Sequence, residues 1–476
     1  MIDNFKFGHI TVIGDIILDH YIMGEVHRVS PEAPVPVLLR SSQTSRPGGA
    51  ANVAANAAAL GCHVTLIGIV GPDKEARILQ ETLHPWPQID TSSLITSENW
   101  DTITKTRIVS GRQQIVRIDH EQTTPPSQET YYRLIEATCR AIEHTDIVVC
   151  SDYAKGALSD AVINAIMQAA QAHSVPVIVD PKRPDFSAYR GASLITPNLK
   201  EMALATQNMP LETDQEVERA SQKASEQFGG DVLLTRSEAG MSLWCRNGRI
   251  LHRAARKSEV FDVSGAGDTV IATIASILSA GQTLEMATTI ATTAASIAVR
   301  KLGTSVVSRD ELNQELKEEI EDKDLLMPID RALTIINEWK RHGATIVFTN
   351  GCFDLLHPGH ISLIEGAAKQ GDKLIVALNS DQSVKRLKGA QRPLQNEHAR
   401  AKIMSALRHV DMVLIFEEDT PLELIKKIKP HTLVKGADYK EEDVVGGDVV
   451  KEYGGKVALI TIIEGQSTTH IVKRMS

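Results

Sequence analysis

The chain has 476 residues, more than one ordinary hydrophobic core accommodates, so two domains are expected. Its 51 basic and 60 acidic residues leave a net charge of -9, which argues against a broad nucleic-acid footprint. No apolar stretch approaches the roughly 18 residues that span a bilayer, and the N-terminus "MIDNFKFGHI" lacks a signal-peptide core, so a soluble, cytoplasmic protein without membrane contact is expected. Cys62, Cys139, Cys150, Cys245 and Cys352 are scattered without the paired spacing of a zinc site or disulfide framework and read as reduced thiols.

Taken in chain order, apolar β-branched runs alternate with helical segments: "ITVIGDIIL", "VTLIGIVG", "DIVVCSD", "VPVIVD", "ASLITPN" and "DVLLTR", then "ATIVF", "KLIVALNS", "DMVLIF" and "KVALITII". Continuous rather than alternating hydrophobicity predicts strands buried on both faces, hence mostly parallel sheets in an α/β architecture. The Pro-rich "YIMGEVHRVSPEAPVPVLLRSSQTSRPGG" predicts a small edge sheet or flap over a site. Between 308 and 330 the pattern lapses into charged residues closed by a proline, either a linker or a solvated helix packed on one domain. The division expected is 1–318, a linker 319–343, and 344–476.

"FDVSGAGDTVIATIASILSAG" places Gly265, Ala266 and Gly267 before a long apolar helix, where their backbone N–H groups form an anion nest at its positive end. Asp268 follows at once. An acid beside an anion site is costly unless it works, for example as a general base towards an attacking hydroxyl during phosphoryl transfer. An ordinary acidic first turn accounts for the same residues. "PGGAANVAANAAALG" sets Gly49 and Asn52 where a ligand can approach closely, and "GDIILD" puts Asp15 and Asp19 at a strand end, where α/β sites collect ligands. "TPNLKE" offers Asn198 and Glu201, oxygen ligands suited to hydrated Mg²⁺. "TRSEAG", from Thr235 to Gly240, is a turn suited to nucleotide phosphates. In "TKTRIVSGRQQIVRIDHE", Arg107, Arg112 and Arg117 lie on a predicted hairpin near the lid, with Lys155 and Lys182 after strand ends.

In this order the motifs resemble the ribokinase-like (phosphofructokinase B type) carbohydrate kinases over roughly 8–308. The resemblance implies ATP-dependent phosphorylation of a sugar hydroxyl, with Asp268 as base, Gly265 to Gly267 as anion hole, and Asn198 and Glu201 near Mg²⁺–ATP. It also implies sugar contacts from Asp15, Asp19, Gly49 and Asn52 under a β lid. Ser264 stands where that family often has Thr.

In the second half, "TNGCFDLLHPGH" follows an apolar run. Pro358 favours the first helical position, which puts His357 at the cap and His360 in the first turn. Two histidines are too few ligands for zinc, and no second pair has suitable spacing. A structural capping pair is a further reading. A helix end with two imidazole donors suits binding a polyphosphate and stabilising the charge of an in-line substitution at phosphorus. The attacker can itself be a phosphate, already largely dianionic. "NSDQSVKRLKGAQRP" supplies Lys385, Arg386, Lys388 and Arg392, "LVKGADY" Lys435, and "EGQSTTHIVKRM" Ser467, Thr468 and Thr469 at a helix start. A solvated surface is the plain alternative for the basic loop.

This half resembles the cytidylyltransferase-like nucleotidyltransferases over roughly 344–476, with "HPGH" as its His-x-x-His signature. The resemblance adds nucleotide contacts at Gly351, Phe353 and Asp354. The expected fold is therefore a ribokinase-like α/β domain with a small β lid, followed by a Rossmann-like nucleotidyltransferase α/β domain. Motif order, with "RVSPEAPVPV", "SDYAKGAL" and "FEEDTP", resembles the family of bifunctional heptose 7-phosphate kinases and heptose 1-phosphate adenylyltransferases of Gram-negative bacteria. That family resemblance implies ATP in both steps, ADP-heptose for the lipopolysaccharide core after a separate phosphatase, and small-molecule substrates; the lid-forming edge sheet separately points to a homodimer through the kinase domain. Another sugar phosphate with CTP as donor, or a non-catalytic ligand sensor, are the competing readings.

Overall fold

The computed structural model describes residues 2–461 except 112, 123, 256–259, 325–328, 390 and 438–439, and within 318–324 the backbone alone. Two compact units are present, Met1–Leu316 and Lys317–Ser476.

The first unit is built on a ten-stranded sheet. From one edge its order is Ile250–Arg253, Met241–Trp244, Asp231–Thr235, Leu194–Ile195, Val177–Asp180, Ile147–Ser151, His9–Gly14, His63–Val70 and Ile89–Asp90, with Leu94–Thr96 also on His63–Val70. Met241–Trp244 and Ile250–Arg253 join antiparallel, and the other strands pair parallel. The unbroken apolar runs follow from this arrangement, because successive residues feed opposite cores. Val149 and Ile178 pack on one face with the helices Ala50–Leu60, Ala266–Ser279 and Leu284–Ala298, while Val148 and Val179 pack on the other with Gln128–Ile142, Asp160–His173 and Asp214–Phe228.

The run "ITVIGDIIL" is not one strand. His9–Gly14 stops at Asp15, and the chain leaves the main sheet as Ile16–Val29. That strand pairs antiparallel with Pro36–Gly49 and parallel with Ile103–Ser110, which pairs with Gln113–His120. This four-stranded sheet is larger than the small flap expected from the Pro-rich segment: two of its strands have 14 residues each.

The second unit carries a five-stranded parallel sheet in the order Met412–Phe416, Lys373–Asn379, Ile346–Gly351, Thr432–Gly436, Lys456–Ile460. The order reverses between Ile346–Gly351 and Thr432–Gly436, which opens the crevice where open α/β sheets take ligands. Phe348 and Ile375 face a core closed by Ile336 and Ile425, and Val347 and Val376 face one closed by Ile364 and Met404.

The segment expected to be a linker is largely helical. Arg309–Asp324 packs Leu312 and Leu316 into the first unit. Ile329–Arg341 buries Ala332 and Ile336 in the second. Apolar residues spaced four apart make this face amphipathic, a signal that the surrounding charge obscures.

Candidate active sites

In the first unit, Asp268 lies in the first turn of Ala266–Ser279 and is almost wholly buried, at 1% exposure. Asn52, in the first turn of Ala50–Leu60, donates from Nδ2 to Oδ2 at 2.7 Å, and the Tyr153 hydroxyl donates to Oδ1 at 2.7 Å. Burial pushes the carboxyl up to about 6, against the opposing pull of those two donors. Gly265 caps the helix with φ 76°, and a Cβ there would lie 2.8 Å from Asn52 Nδ2, so only glycine both adopts the turn and admits the amide. Gly267 has open space where its Cβ would be, leaving the helix end accessible to an anion.

The sugar-side residues divide. Asn52, expected to meet a sugar hydroxyl, spends its amide on Asp268 and accepts from Asn56 Nδ2 at 3.1 Å. Asp15 accepts the backbone N–H groups of Tyr153 at 2.9 Å, Lys155 at 3.0 Å and Ala157 at 3.0 Å. It therefore shapes the loop after Ile147–Ser151 rather than facing open space. Gly49, at φ 53°, carries the chain from the lid into Ala50–Leu60, where a Cβ would meet the Asp15 carbonyl at 2.5 Å. Asp19, in the lid, is buried in an ion pair with Arg107 at 2.5 Å. Arg117 lies directly opposite Arg107 across the strands and pairs with Asp119 at 2.8 Å. Lys155 pairs with Glu121 at 2.6 Å and Lys182 with Glu201 at 3.0 Å, while Arg112 lies outside the described residues.

Asn198 and Glu201 form a capping box at the start of Leu199–Ala205: the Asn198 side chain accepts from the N–H of Lys200 and Glu201, and Glu201 accepts from the Asn198 N–H at 2.9 Å. Both expected metal ligands are thus engaged locally. Among the described residues, no group of three or more His, Cys, Asp or Glu is arranged to hold a metal ion. Asp180, half-buried at the end of Val177–Asp180, has its carboxyl held well above the usual range by burial and then by the charges of Glu201 and Asp268, against the pull of Lys182. Hard oxygens in this setting suit a cation that keeps water and nucleotide phosphate as most of its shell, as Mg²⁺ does. Thr235 bridges to Asn198, bringing two strand ends together, and Gly240 at φ 92° closes the turn beyond, where a Cβ would strike the Arg253 carbonyl.

Tyr153 and Lys105 were not singled out by their chemistry in the sequence. Lys105 Nζ lies 5.0 Å from the centre of the Tyr153 ring. Lys105 and Arg107 stand two apart on the strand Ile103–Ser110, separated by Thr106, a period-two spacing that puts both on the face shared with Asp19.

In the second unit the helix Pro358–Ala368 begins at Pro358 with His357 as its cap. The two imidazoles stack at 3.8 Å between ring centres, and the Phe353 ring lies 4.9 Å from His360. Two imidazolium charges that close would repel by about 4 kcal/mol at an effective dielectric of about 20. Both rings are accordingly held neutral: burial and the neighbouring His357 and Lys388 press His360 down to about 4, and burial lowers His357. The Nδ1 atoms of both are buried without a hydrogen-bond partner among the described residues. A cavity of about 480 Å³ opens beside them, lined by Leu356, His357, Pro358, Ile361, Ser362 and Glu365.

Asp354 accepts the N–H groups of Leu394 at 2.7 Å and Gln395 at 3.1 Å and pairs with Arg392 at 2.9 Å. Two expected nucleotide contacts are therefore spent on each other, fixing the loop that follows Asp381–Lys388. Gly351 ends its strand with Phe353 packed over it, Lys388 is exposed, and Lys435 donates to the Asn350 carbonyl at 3.0 Å. Arg400, fully buried, joins Cys352, Asp381 and Gln395, a structural centre no motif announced. Ser467, Thr468 and Thr469 lie outside the described residues.

These two sites define a carbohydrate kinase and a nucleotidyltransferase on one chain. Residues 8–311 match the pfkB family carbohydrate kinases, and residues 348–472 the cytidylyltransferase-like family. The bifunctional protein HldE of Gluconobacter oxydans is 59% identical over 100% of this chain and 99% of its own, and that of Azorhizobium caulinodans 53% over 100% and 99%. The chain belongs to the bifunctional HldE family. The fold of the first unit is shared with Arabidopsis thaliana ribokinase complexed with ribose and ATP, at TM-score 0.53 and 21% identity, covering 65% of this chain and 98% of that one. Escherichia coli phosphofructokinase-2 gives 0.54 and 19%, over 65% and 97%.

Proposed function

We propose that the first unit phosphorylates heptose 7-phosphate at O1 with ATP, and that the second transfers AMP from ATP to heptose 1-phosphate, releasing diphosphate and forming ADP-heptose for the lipopolysaccharide core. Kinase chemistry is assigned to 1–318 and adenylyl transfer to 344–476, with the helix Ile329–Arg341 supporting the second unit. In the kinase step Asp268 takes the proton of the anomeric hydroxyl as its oxygen attacks the γ-phosphorus and ADP leaves. The N–H groups of Gly265 and Gly267 hold the charge on the transferring group, whereas the Ala266 N–H, expected to join them, is taken by the Val263 carbonyl at 3.2 Å because it closes the turn into the helix. Mg²⁺ would be held beside Asp180 and, through water, beside the Asn198–Glu201 capping box, and would neutralise the polyphosphate.

In the second step a phosphate oxygen of the sugar 1-phosphate attacks the α-phosphorus and diphosphate leaves. The imidazoles of His357 and His360 enter neutral and each donates one N–H. Lys388 and Lys435 supply positive charge. Two small-molecule substrates and no nucleic acid are involved. A homodimer through the lid is supported by the exposed Val29, Leu39, Val116 and Ile118, and a cytoplasmic location by the demand for ATP; no helix among the described residues is long and apolar enough to cross a membrane.

The observation that carries the kinase reading is the buried Asp268, clamped by two donors at an open helix end. The test is release of ADP and of diphosphate from ATP or CTP over a panel of sugars and sugar phosphates. ADP release with heptose 7-phosphate and diphosphate release from ATP with heptose 1-phosphate are expected. Preference for another sugar phosphate or for CTP would overturn the substrate assignment.

A further inference from the structure

The carboxylate of Asp268 is oriented by two donors, and one of them reaches back to the lid. Tyr153 stands on the loop whose backbone N–H groups, at 153, 155 and 157, are gathered by Asp15. Its hydroxyl is 2.7 Å from Asp268 Oδ1. Over the face of the same ring lies the ammonium of Lys105, 5.0 Å from its centre, carried by the lid strand Ile103–Ser110. Among the described residues Lys105 makes no ion pair; Asp19, directly opposite it in the parallel lid pairing, is taken by Arg107. A partly desolvated cation is thus held against a ring whose phenol touches the base.

We propose that Tyr153 is a positioning residue for Asp268 and that Lys105 ties it to the lid, so that the base is correctly set only with the lid strand over the loop. The inference rests on the kinase reading above. The phenol fixes the carboxylate plane, leaving the remaining lone pairs for the sugar hydroxyl. Charged and titratable groups facing Asp268 are Asp19 and Lys105 from the lid, Tyr153 from the loop and Asp180 from the strand Val177–Asp180. The phenol and the Lys105 charge both favour the ionised carboxylate, while Asp19 opposes it. Loss of either favourable group therefore moves protonation of the base to higher pH.

Tyr153→Phe keeps the ring and deletes the donor. Kinase kcat should fall about tenfold, and the acid limb of kcat/KM should move up by about one pH unit, the size expected for a lost hydrogen bond to a charged group. KM for ATP should stay constant. Lys105→Met should move the limb the same way by less, and its effect should at least halve in the Tyr153→Phe background. A merely structural tyrosine would lower thermal stability and leave the limb in place, and that result overturns the proposal. Additive effects of the two substitutions would overturn the tie to the lid. Asp268→Asn separates this failure from failure of the underlying reading: if that variant keeps kinase activity, Asp268 is not the base.

Discussion

The two units assemble their chemistry over different distances along the chain. Asp268 is held by Asn52, 216 residues earlier, and by Tyr153, 115 residues earlier, three elements converging on one desolvated carboxylate. His357 and His360 lie on one turn of one helix, stacked at 3.8 Å with Nδ1 atoms that lack partners among the described residues. The first site is thus assembled in advance around a group whose charged form is costly to bury, and the second is a local pair of neutral imidazoles at a helix end. A mutation near Asp268 should act through remote contacts. One near the histidines should act at the motif itself.

The largest effect expected is that of Asp268→Asn, which should lower kinase turnover by at least about 10² while adenylyl transfer by the same preparation continues. Loss of both activities in a folded chain would break the division between the units. Next, His357→Ala or His360→Ala should lower kcat of adenylyl transfer about 10²-fold with much less change in ATP affinity, as for a donor that acts on transition-state charge. Kinase turnover should be unaffected. A capping role would show instead as a lower melting temperature of the second unit with near-normal kcat, and a zinc site as inhibition by chelators that spare Mg²⁺.

Protonation sharpens the contrast. Asp268 must be ionised to act and its carboxyl is raised to about 6, so kinase kcat/KM should fall about tenfold per unit below that pH. The His360 ring, lowered to about 4, should remain neutral through the same window, and its NMR titration checks this. Because its folded value lies below the unfolded one, the unfolded chain binds the extra proton first. The stability of the second unit should therefore decline as pH falls from about 6.5 towards 4. The smallest effect is that of Arg117→Ala, which should raise KM for heptose 7-phosphate a few-fold at most, since this half-exposed guanidinium is already paired with Asp119. Arg107→Ala should raise it more, because it also leaves Asp19 buried and unpaired. Unchanged affinity in both would remove the lid arginines from sugar-phosphate binding.

Features that depend on near neighbours along the chain were legible in it directly. Unbroken apolar runs dictated strands buried on both faces, Pro358 set the start of its helix, and Gly265 the left-handed cap before Asp268, because dihedral preferences and periodicity act over a few residues. Which polar groups are already satisfied depends on the fold. Asn52 was drawn from the sugar to Asp268, Asp15 to a loop, Asn198 and Glu201 to a capping box, and Arg392 to Asp354. It also brought Tyr153 and Lys105 to the base and Ile336 out of an apparent linker into a core. The physical reason is that a buried donor or acceptor must find a partner wherever the fold brings one near, and sequence separation does not enter that requirement.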